Sequence, residues 1–154
     1  MATPESTIHK AEPADIPEIA DIERKAFPDP WNEETLVEAL ATYPGEFFVA
    51  RNNGRIVGFV AGGLEDTGEE VYGHIMNLAV APECRGRGVG ARLVRRLEQQ
   101  FALGGAAGVQ LEVRVGNTGA QRFYHRMGYQ EVFVVACYYA NDEDAVVMMK
   151  WFRF

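Results

Sequence analysis

The chain has 154 residues, of which 47% are hydrophobic and 24% are charged, so we expect one globular domain without a second full domain or a long disordered tail. It contains no run of about 18 apolar residues, and Met1–Glu5 lacks the basic and apolar regions of a secretory signal, so we expect a soluble, cytoplasmic protein. The formal net charge of −7 disfavours a nucleic-acid partner, and two cysteines, Cys84 and Cys137, are too few for a disulfide framework or a zinc knuckle.

The first half of the chain combines two helical patterns with β-rich runs. Apolar residues recur at helical spacing from Ile16 to Phe27, and Pro28 ends this helix. Asn32 is a suitable N-cap for a second helix, which Tyr43–Gly45 ends. The predicted strands are Thr7–Lys10, Glu46–Arg51 and Arg55–Leu64, with a hairpin turn at Asn52–Gly54.

The second half predicts four strands and two helices. The strands are Glu70 to Val80, Val109–Val115, Tyr129 to about Tyr138, and Ala145–Phe152. The helices are Gly88–Leu103 and a short helix that Asn117 caps and Gly128 ends. This order indicates one mixed α/β domain, residues 1–154, with a central sheet.

The charge is distributed unevenly along the chain. Residues 1–83 carry 16 acidic and 5 basic residues, whereas residues 84–154 carry 6 acidic and 10 basic residues. This asymmetry suits a small anionic ligand in the second half and a cationic substrate that meets the first. A solvated acidic face is the alternative for the first half.

The segment 77–90 predicts a strand, a glycine-rich loop and the start of a helix. Glycines leave room for a phosphate against the backbone, and the helix N-terminus offers free N–H groups. The residues concerned are Gly86, Gly88 and Gly90, with Arg85 and Arg87 adding positive charge. The Walker and Rossmann patterns are absent. A glycine-rich turn with exposed arginines is the alternative interpretation.

The loop fits the pattern Arg/Gln-x-x-Gly-x-Gly, and on Arg85, Gly88 and Gly90 the chain resembles the GNAT superfamily of acetyl-CoA-dependent N-acetyltransferases. Further residues are similar to those of ribosomal-protein-alanine N-acetyltransferases and archaeal N-terminal acetyltransferases: Leu111–Arg114, Asn117, Ala120, Tyr124, Gly128-Tyr129, Tyr138-Tyr139, Glu143–Ala145 and Met148. Phe27-Pro28-x-Pro-Trp31 resembles the bacterial enzymes, and Gly73-His74-Ile75 resembles the archaeal ones. The resemblance implies a twisted, mostly antiparallel mixed sheet of about seven strands flanked by about four helices.

The resemblance also implies acetyl-CoA as co-substrate. The backbone of Leu78, Ala79 and Val80 would pair with the pantetheine arm, and Asn117 would contact the cofactor near its thiol. The pyrophosphate would be held at the loop residues Arg85, Gly86, Arg87, Gly88, Val89, Gly90 and Ala91. The alternatives are an ordinary buried strand and a simple helix N-cap. No metal is expected, because the histidines and cysteines show no ligand spacing.

Three residues are candidates for proton transfer. Glu112, on a strand among apolar residues, is the candidate base; the alternative is an ion pair with Arg114 or another base. Tyr124 is the candidate general acid on the resemblance, although a core tyrosine is the other interpretation. His74 is a candidate second base or relay, or a hydrogen-bonded structural histidine.

The resemblance places Phe27 and Trp31 on one side of the substrate and Tyr138 and Tyr139 on the other; aromatic lids over the core are the alternative. It implies transfer of acetyl, by direct attack in a ternary complex, to the α-amino group of a protein or peptide N-terminus, with a ribosomal protein or a nascent chain as partner. An acetyltransferase for a small amine or a lysine side chain, and a non-catalytic acyl-CoA-binding module, are the alternatives. The apolar C-terminus would pack on the sheet edge or on another subunit.

Overall fold

The computed structural model describes residues 6–153, so Met1–Glu5 and Phe154 lie outside the described residues. Its helices are α1 (Ile16–Ala26), α2 (Glu33–Thr42), α3 (Val89–Leu103) and α4 (Thr118–Arg126). Its strands are β1 (Thr7–Lys10), β2 (Phe47–Asn52), β3 (Arg55–Asp66), β4 (Val71–Val80), β5 (Gly108–Arg114), β6 (Gln130–Val135) and β7 (Ala145–Trp151). The predicted order of elements is confirmed.

Local signals set several of these boundaries. Asn32 caps α2 by accepting a hydrogen bond from the Thr35 amide at 2.8 Å, which satisfies one of the free N–H groups of the first turn. Asn53 and Gly54 have φ values of 54° and 77°, so the predicted tight hairpin joins β2 to β3.

The seven strands form one sheet in the order β1-β2-β3-β4-β5-β7-β6. All neighbours are antiparallel except β4 and β5, which run parallel and pair only through Gly73 with Val109 and His74 with Gln110. Beyond these pairs β4 continues to Val80, paired with β3 alone, and β5 continues to Arg114, paired with β7. The carboxyl ends of two parallel strands therefore separate and open a cleft in the middle of the sheet.

The core lies on both faces of the sheet. On strand β2, Phe47 packs in the cluster that includes α1 and α2, whereas Phe48 packs in the cluster that includes α3, because successive side chains of a strand point to opposite faces. Phe101 of α3 lies directly over Gly73, where a Cβ atom would come within 2.2 Å of the ring. Glycine at this position therefore lets α3 approach β4 beside the first pair of the parallel ladder.

Most predicted strand ends differ from the observed ones by one to three residues, including those of β5 and β6. Strand β5 ends at Arg114, so Val115 lies one residue beyond it and is exposed, although its amide still bonds to the carbonyl of Asp144, the residue before β7. Strand β6 ends at Val135, so Tyr138 belongs to the loop between β6 and β7.

The C-terminal segment packs on its own chain. The Trp151 ring meets the Tyr72 ring edge-on with centroids 5.6 Å apart, and the Phe152 amide bonds to the Ala107 carbonyl. This arrangement agrees with the first of the two expectations, packing on the sheet. Within residues 6–153, no helix is both long and apolar enough to cross a membrane.

Candidate active site

The glycine-rich loop joins β4 to α3 at the edge of the cleft. Gly86 and Gly88 have φ values of 77° and 81°, and Gly88 is the residue that precedes the first turn of α3. A Cβ atom at either glycine would meet nothing within 4 Å, so the backbone conformation, and not lack of space, favours glycine there. The turn residues 85–88 are exposed, and the free amide groups and dipole of a helix N-terminus suit a phosphate.

Two arginines precede the N-terminus of α3. Arg85 and Arg87 are both exposed, and the Arg85 Nε donates to the Val80 carbonyl at 3.3 Å, which holds the side chain at the end of β4. The strand residues Leu78 and Val80 are partly buried against the core, and Ala79 is buried. The residues predicted to bind pyrophosphate and pantetheine thus lie on one continuous path from β4 into α3.

Asn117 follows β5 on the other side of the cleft. Its Oδ1 accepts a hydrogen bond from the Ala120 amide at 3.1 Å, so the predicted helix-capping role is confirmed. Its contact with a cofactor stays a prediction.

Strands β4 and β5 bring His74 and Glu112 together where the two strands begin to separate. The His74 Nε2 lies 2.9 Å from Glu112 Oε1 and 3.0 Å from Oε2, and the Tyr138 hydroxyl donates to Glu112 Oε1 at 2.9 Å. The other ring nitrogen of His74 lies 2.7 Å from Oε1 of Glu65 on β3. The four side chains form a chain of hydrogen bonds from β3, through β4 and β5, to the β6–β7 loop.

The electrostatics of this cluster favour an ion pair. Burial by itself would raise the pKa of Glu112, but its hydrogen bond with His74, the charge of His74 and the Tyr138 hydroxyl outweigh burial and lower it. Burial by itself would lower the pKa of His74, but the bonds and charges of Glu112 and Glu65 outweigh it and raise this pKa. Glu112 is therefore a carboxylate, and His74 tends toward the imidazolium form.

Tyr124 lies on α4 in the core beside the cleft. Its ring meets the rings of Phe123 and Tyr129 edge-on at 5.0 and 5.5 Å, and burial raises its pKa. Its hydroxyl group therefore stays protonated at neutral pH. The core position that the sequence offers as one interpretation is confirmed, whereas its role as an acid stays a prediction.

Two loops border the cluster, and Arg114 of β5 connects them. Its guanidinium group donates to Asp29 at 2.5 Å in the α1–α2 loop, and to Asn141 at 2.9 Å and Glu143 at 3.1 Å in the β6–β7 loop. It also lies 3.9 Å from the centre of the Tyr139 ring. Arg114 thus holds both predicted substrate loops beside Glu112.

Sequence analysis missed two of these roles. Glu65 carried no signal, because its partner His74 is reached only through the register of the β3–β4 hairpin. The sequence offers Arg114 or another base as an ion-pair partner of Glu112; the structure pairs Glu112 with His74, and Arg114 pairs with Asp29 and Glu143. Both cysteines are free, with Cys84 buried and Cys137 exposed. Among residues 6–153, no group of three or more His, Cys, Asp or Glu side chains could hold a metal ion.

Comparison with known proteins identifies the class to which this fold and loop belong. Residues 16–129 match the family model described as acetyltransferase (GNAT) family. The chain is 40% identical to an uncharacterized N-acetyltransferase of Methanocaldococcus jannaschii, over 93% of this chain and 90% of that protein. The chain belongs to the GNAT acetyltransferase family, which confirms the resemblance seen in the sequence.

Two further relatives have more specific names. The chain is 33% identical to an N-alpha-acetyltransferase of Sulfurisphaera tokodaii, over 94% of this chain and 92% of that protein. The crystal structure of Chaetomium thermophilum Naa20 in complex with a bisubstrate analogue superposes with a TM-score of 0.87 at 30% identity, covering 94% of this chain and 86% of that one.

Proposed function

We propose that this protein transfers the acetyl group of acetyl-CoA to the α-amino group of a protein or peptide N-terminus. The observation that carries the proposal is the position of the ionised Glu112, at the point where β4 and β5 separate and between the two loops that Arg114 connects. The relatives named as N-alpha-acetyltransferases support it.

The cofactor fits the path from β4 to α3. The amide groups that follow Gly86 and Gly88 would hold the pyrophosphate, with Arg85 and Arg87 nearby, and the β4 edge that β5 leaves unpaired, Leu78–Val80, would bond the pantetheine arm. Acetyl-CoA supplies an activated acetyl group as a thioester. Backbone N–H groups of the same strand would polarise the thioester carbonyl.

Glu112 would take a proton from the substrate amine, directly or through a water molecule. A free α-amine has a pKa of about 7.7 to 8.0, so roughly a tenth to a sixth of it is uncharged at pH 7, compared with about 1 in 2,500 for a lysine with a pKa of about 10.4. A carboxylate whose pKa is lowered is a weak base, which is sufficient for the α-amine and poorly suited to lysine.

His74 and Tyr124 would support this step. His74 bonds to the Glu112 carboxylate through Nε2 and to Glu65 through Nδ1, so it orients the base. It can also relay a proton from Glu112, provided that its Nδ1 proton moves to Glu65 as Nε2 accepts the new one. Tyr124, kept protonated by burial, would donate to the departing sulfur.

Phe27 and Trp31 in the α1–α2 loop, and Tyr138 and Tyr139 in the β6–β7 loop, would line the channel for the first residues of the peptide. The Tyr138 hydroxyl already bonds to Glu112, and Tyr139 packs on Arg114, so both tyrosines are fixed relative to the base. A ribosomal protein or a nascent chain would supply such an N-terminus.

A peptide panel tests the proposal. The purified protein is incubated with acetyl-CoA and peptides that begin with Ala, Ser, Met or Glu, with blocked peptides that contain lysine, and with polyamines, and products are read by mass spectrometry. Acetylation of free N-termini is expected. Acetylation of polyamines or blocked lysine peptides alone would replace the proposal with the small-amine or lysine reaction, and binding of acetyl-CoA without any product would indicate a binding module.

A further inference from the structure

Glu23 of α1 is a buried carboxylate that none of the reaction steps above uses. The residue is only 2% exposed, and among the residues that the structure describes no Lys, Arg or His side chain forms an ion pair with it. Burial, together with the nearby charge of Asp29, raises its pKa, although two hydrogen bonds oppose this rise. A buried carboxylate without a cation is costly, so its hydrogen-bond partners indicate what it does.

The Glu23 side chain holds the Trp31 end of the α1–α2 loop. Its Oε2 accepts from the Trp31 amide at 2.9 Å. The bond from the Phe27 amide to the Glu23 backbone carbonyl, at 3.1 Å, is the last backbone bond of α1 and does not depend on the side chain at position 23. Pro28 and Pro30 lack an N–H group, so only Phe27, Asp29, Trp31 and Asn32 can donate from the backbone of this loop, residues 27–32. The Glu23 side chain binds one of these few donors.

The second carboxylate oxygen joins the loop to the sheet. Oε1 of Glu23 accepts from the Asn77 side chain at 2.9 Å. Asn77 lies in β4, just before Leu78 and just after the bulged residue Met76, where the register with β3 shifts. The Glu23 side chain thus ties the Trp31 end of the loop to the strand that borders the cofactor cleft, and the last backbone bond of α1 fixes Phe27 at the other end.

We infer that Glu23 is a positioning residue that determines selectivity for the first residue of the substrate, by clasping the α1–α2 loop to Asn77 of β4. This inference rests on the proposed function, because it takes Phe27 and Trp31 as walls of the peptide channel. Glu23 itself does not need to touch the substrate. Arg114 holds the same loop from its Asp29 side, so Glu23 and Arg114 fix the loop at two points.

Four variants separate a clasp from a general structural role. Glu23→Ala removes both side-chain bonds, and Asn77→Asp places two carboxylates against each other. In Glu23→Gln, the carboxamide keeps both bonds only if the Asn77 side chain rotates to present its oxygen. In the double variant Glu23→Gln/Asn77→Asp, the introduced amide donates to the introduced carboxylate while its oxygen still accepts from the Trp31 amide, so the clasp is rebuilt with one negative charge.

Steady-state kinetics on the peptide panel give the main readout. Glu23→Ala and Asn77→Asp should raise the KM for the preferred peptide by on the order of 10- to 100-fold and reduce the preference among first residues, with the KM for acetyl-CoA within about twofold of wild type. The double variant should recover most of the peptide KM and the preference. The inference would be overturned if the KM values for peptide and for acetyl-CoA rose equally, or if the double variant recovered neither the peptide KM nor the preference among first residues.

Hydrogen exchange of the Trp31 amide, with urea unfolding as a stability control, separates failure of the clasp from failure of the proposed function. The amide should be protected in the wild type and in the double variant and should exchange faster in Glu23→Ala, beyond the change expected from stability alone. If this pattern holds but no peptide is acetylated by the wild type, the proposed function fails while the clasp stands. An unchanged Trp31 amide in Glu23→Ala refutes the clasp.

Discussion

Replacing Glu112 by Gln is the sharpest perturbation of the proposed base. The change removes the negative charge while keeping the shape, so the carboxamide still fits between His74 and Tyr138, whose bonds to Glu112 measure 2.9 Å. His74 keeps its second partner, Glu65. The variant therefore tests the ionisation of Glu112 more than the packing around it.

The expected loss follows from the amine's own pKa. General-base catalysis contributes about 10²- to 10⁴-fold. A bound α-amine with a pKa of about 7.7 to 8.0 is already partly uncharged at pH 7, so the lower end of this range applies. We expect kcat to fall about 100-fold, which is about 2.7 kcal/mol in activation free energy, at pH 7. At pH 9 the amine is mostly uncharged even in the absence of a base, so the difference in kcat between wild type and variant should shrink by about tenfold.

The assay follows release of the free thiol of CoA with a saturating N-terminal peptide, at pH values from 6 to 9. Glu131→Gln is the matched control, because it removes the same charge from an exposed side chain on β6, away from the cleft. The Kd for acetyl-CoA should be unchanged in both variants. A Glu112→Gln enzyme with kcat within about threefold of wild type at pH 7, or with a deficit that grows with pH, would refute the assignment of Glu112 as the base.

Further predictions concern stability and the loops. The pKa of His74 is raised and that of Glu112 is lowered, so their ion pair contributes to the free energy of unfolding. This contribution is lost as pH rises through the raised pKa of His74 and as pH falls through the lowered pKa of Glu112. Urea unfolding should therefore show the largest difference between wild type and Glu112→Gln between about pH 4.5 and 6.5, and a difference independent of pH would contradict the ion pair. Arg114→Leu leaves Asp29 and Glu143 without their cation, so the peptide KM should rise on the order of tenfold with little change in the KM for acetyl-CoA; the reverse pattern would place Arg114 in the cofactor site. Gly88→Ala, at a φ of 81°, should cost about 1 kcal/mol in unfolding free energy and weaken acetyl-CoA binding measured by calorimetry, whereas unchanged binding would remove the loop from the cofactor site.

The features that were predicted well depend on local sequence. The Asn32 and Asn117 caps and the Asn53-Gly54 turn are set by residues within three or four positions of each other. The order of strands and helices follows from periodicity, and the turn between β4 and α3 from its glycines. These signals were sufficient for the fold class.

The features that were missed depend on contacts between distant segments. Strands β4 and β5 pair through only two residue pairs and then separate, which opens the cleft. No sequence pattern in either strand predicts the point of separation. Glu65 meets His74 across a hairpin register, and Arg114 meets Asp29 across 85 residues of sequence. Periodicity predicts the face of a strand on which such a side chain lies but does not predict which distant residue it contacts.

The central claim is tested most directly with one peptide that has both a free α-amine and an internal lysine, incubated with acetyl-CoA at pH 7. Tandem mass spectrometry then locates the acetyl group. We expect a single acetyl group on the N-terminal residue, and about 100-fold less of this product from the Glu112→Gln enzyme over the same time. Acetyl on the lysine with a free N-terminus would contradict the claim.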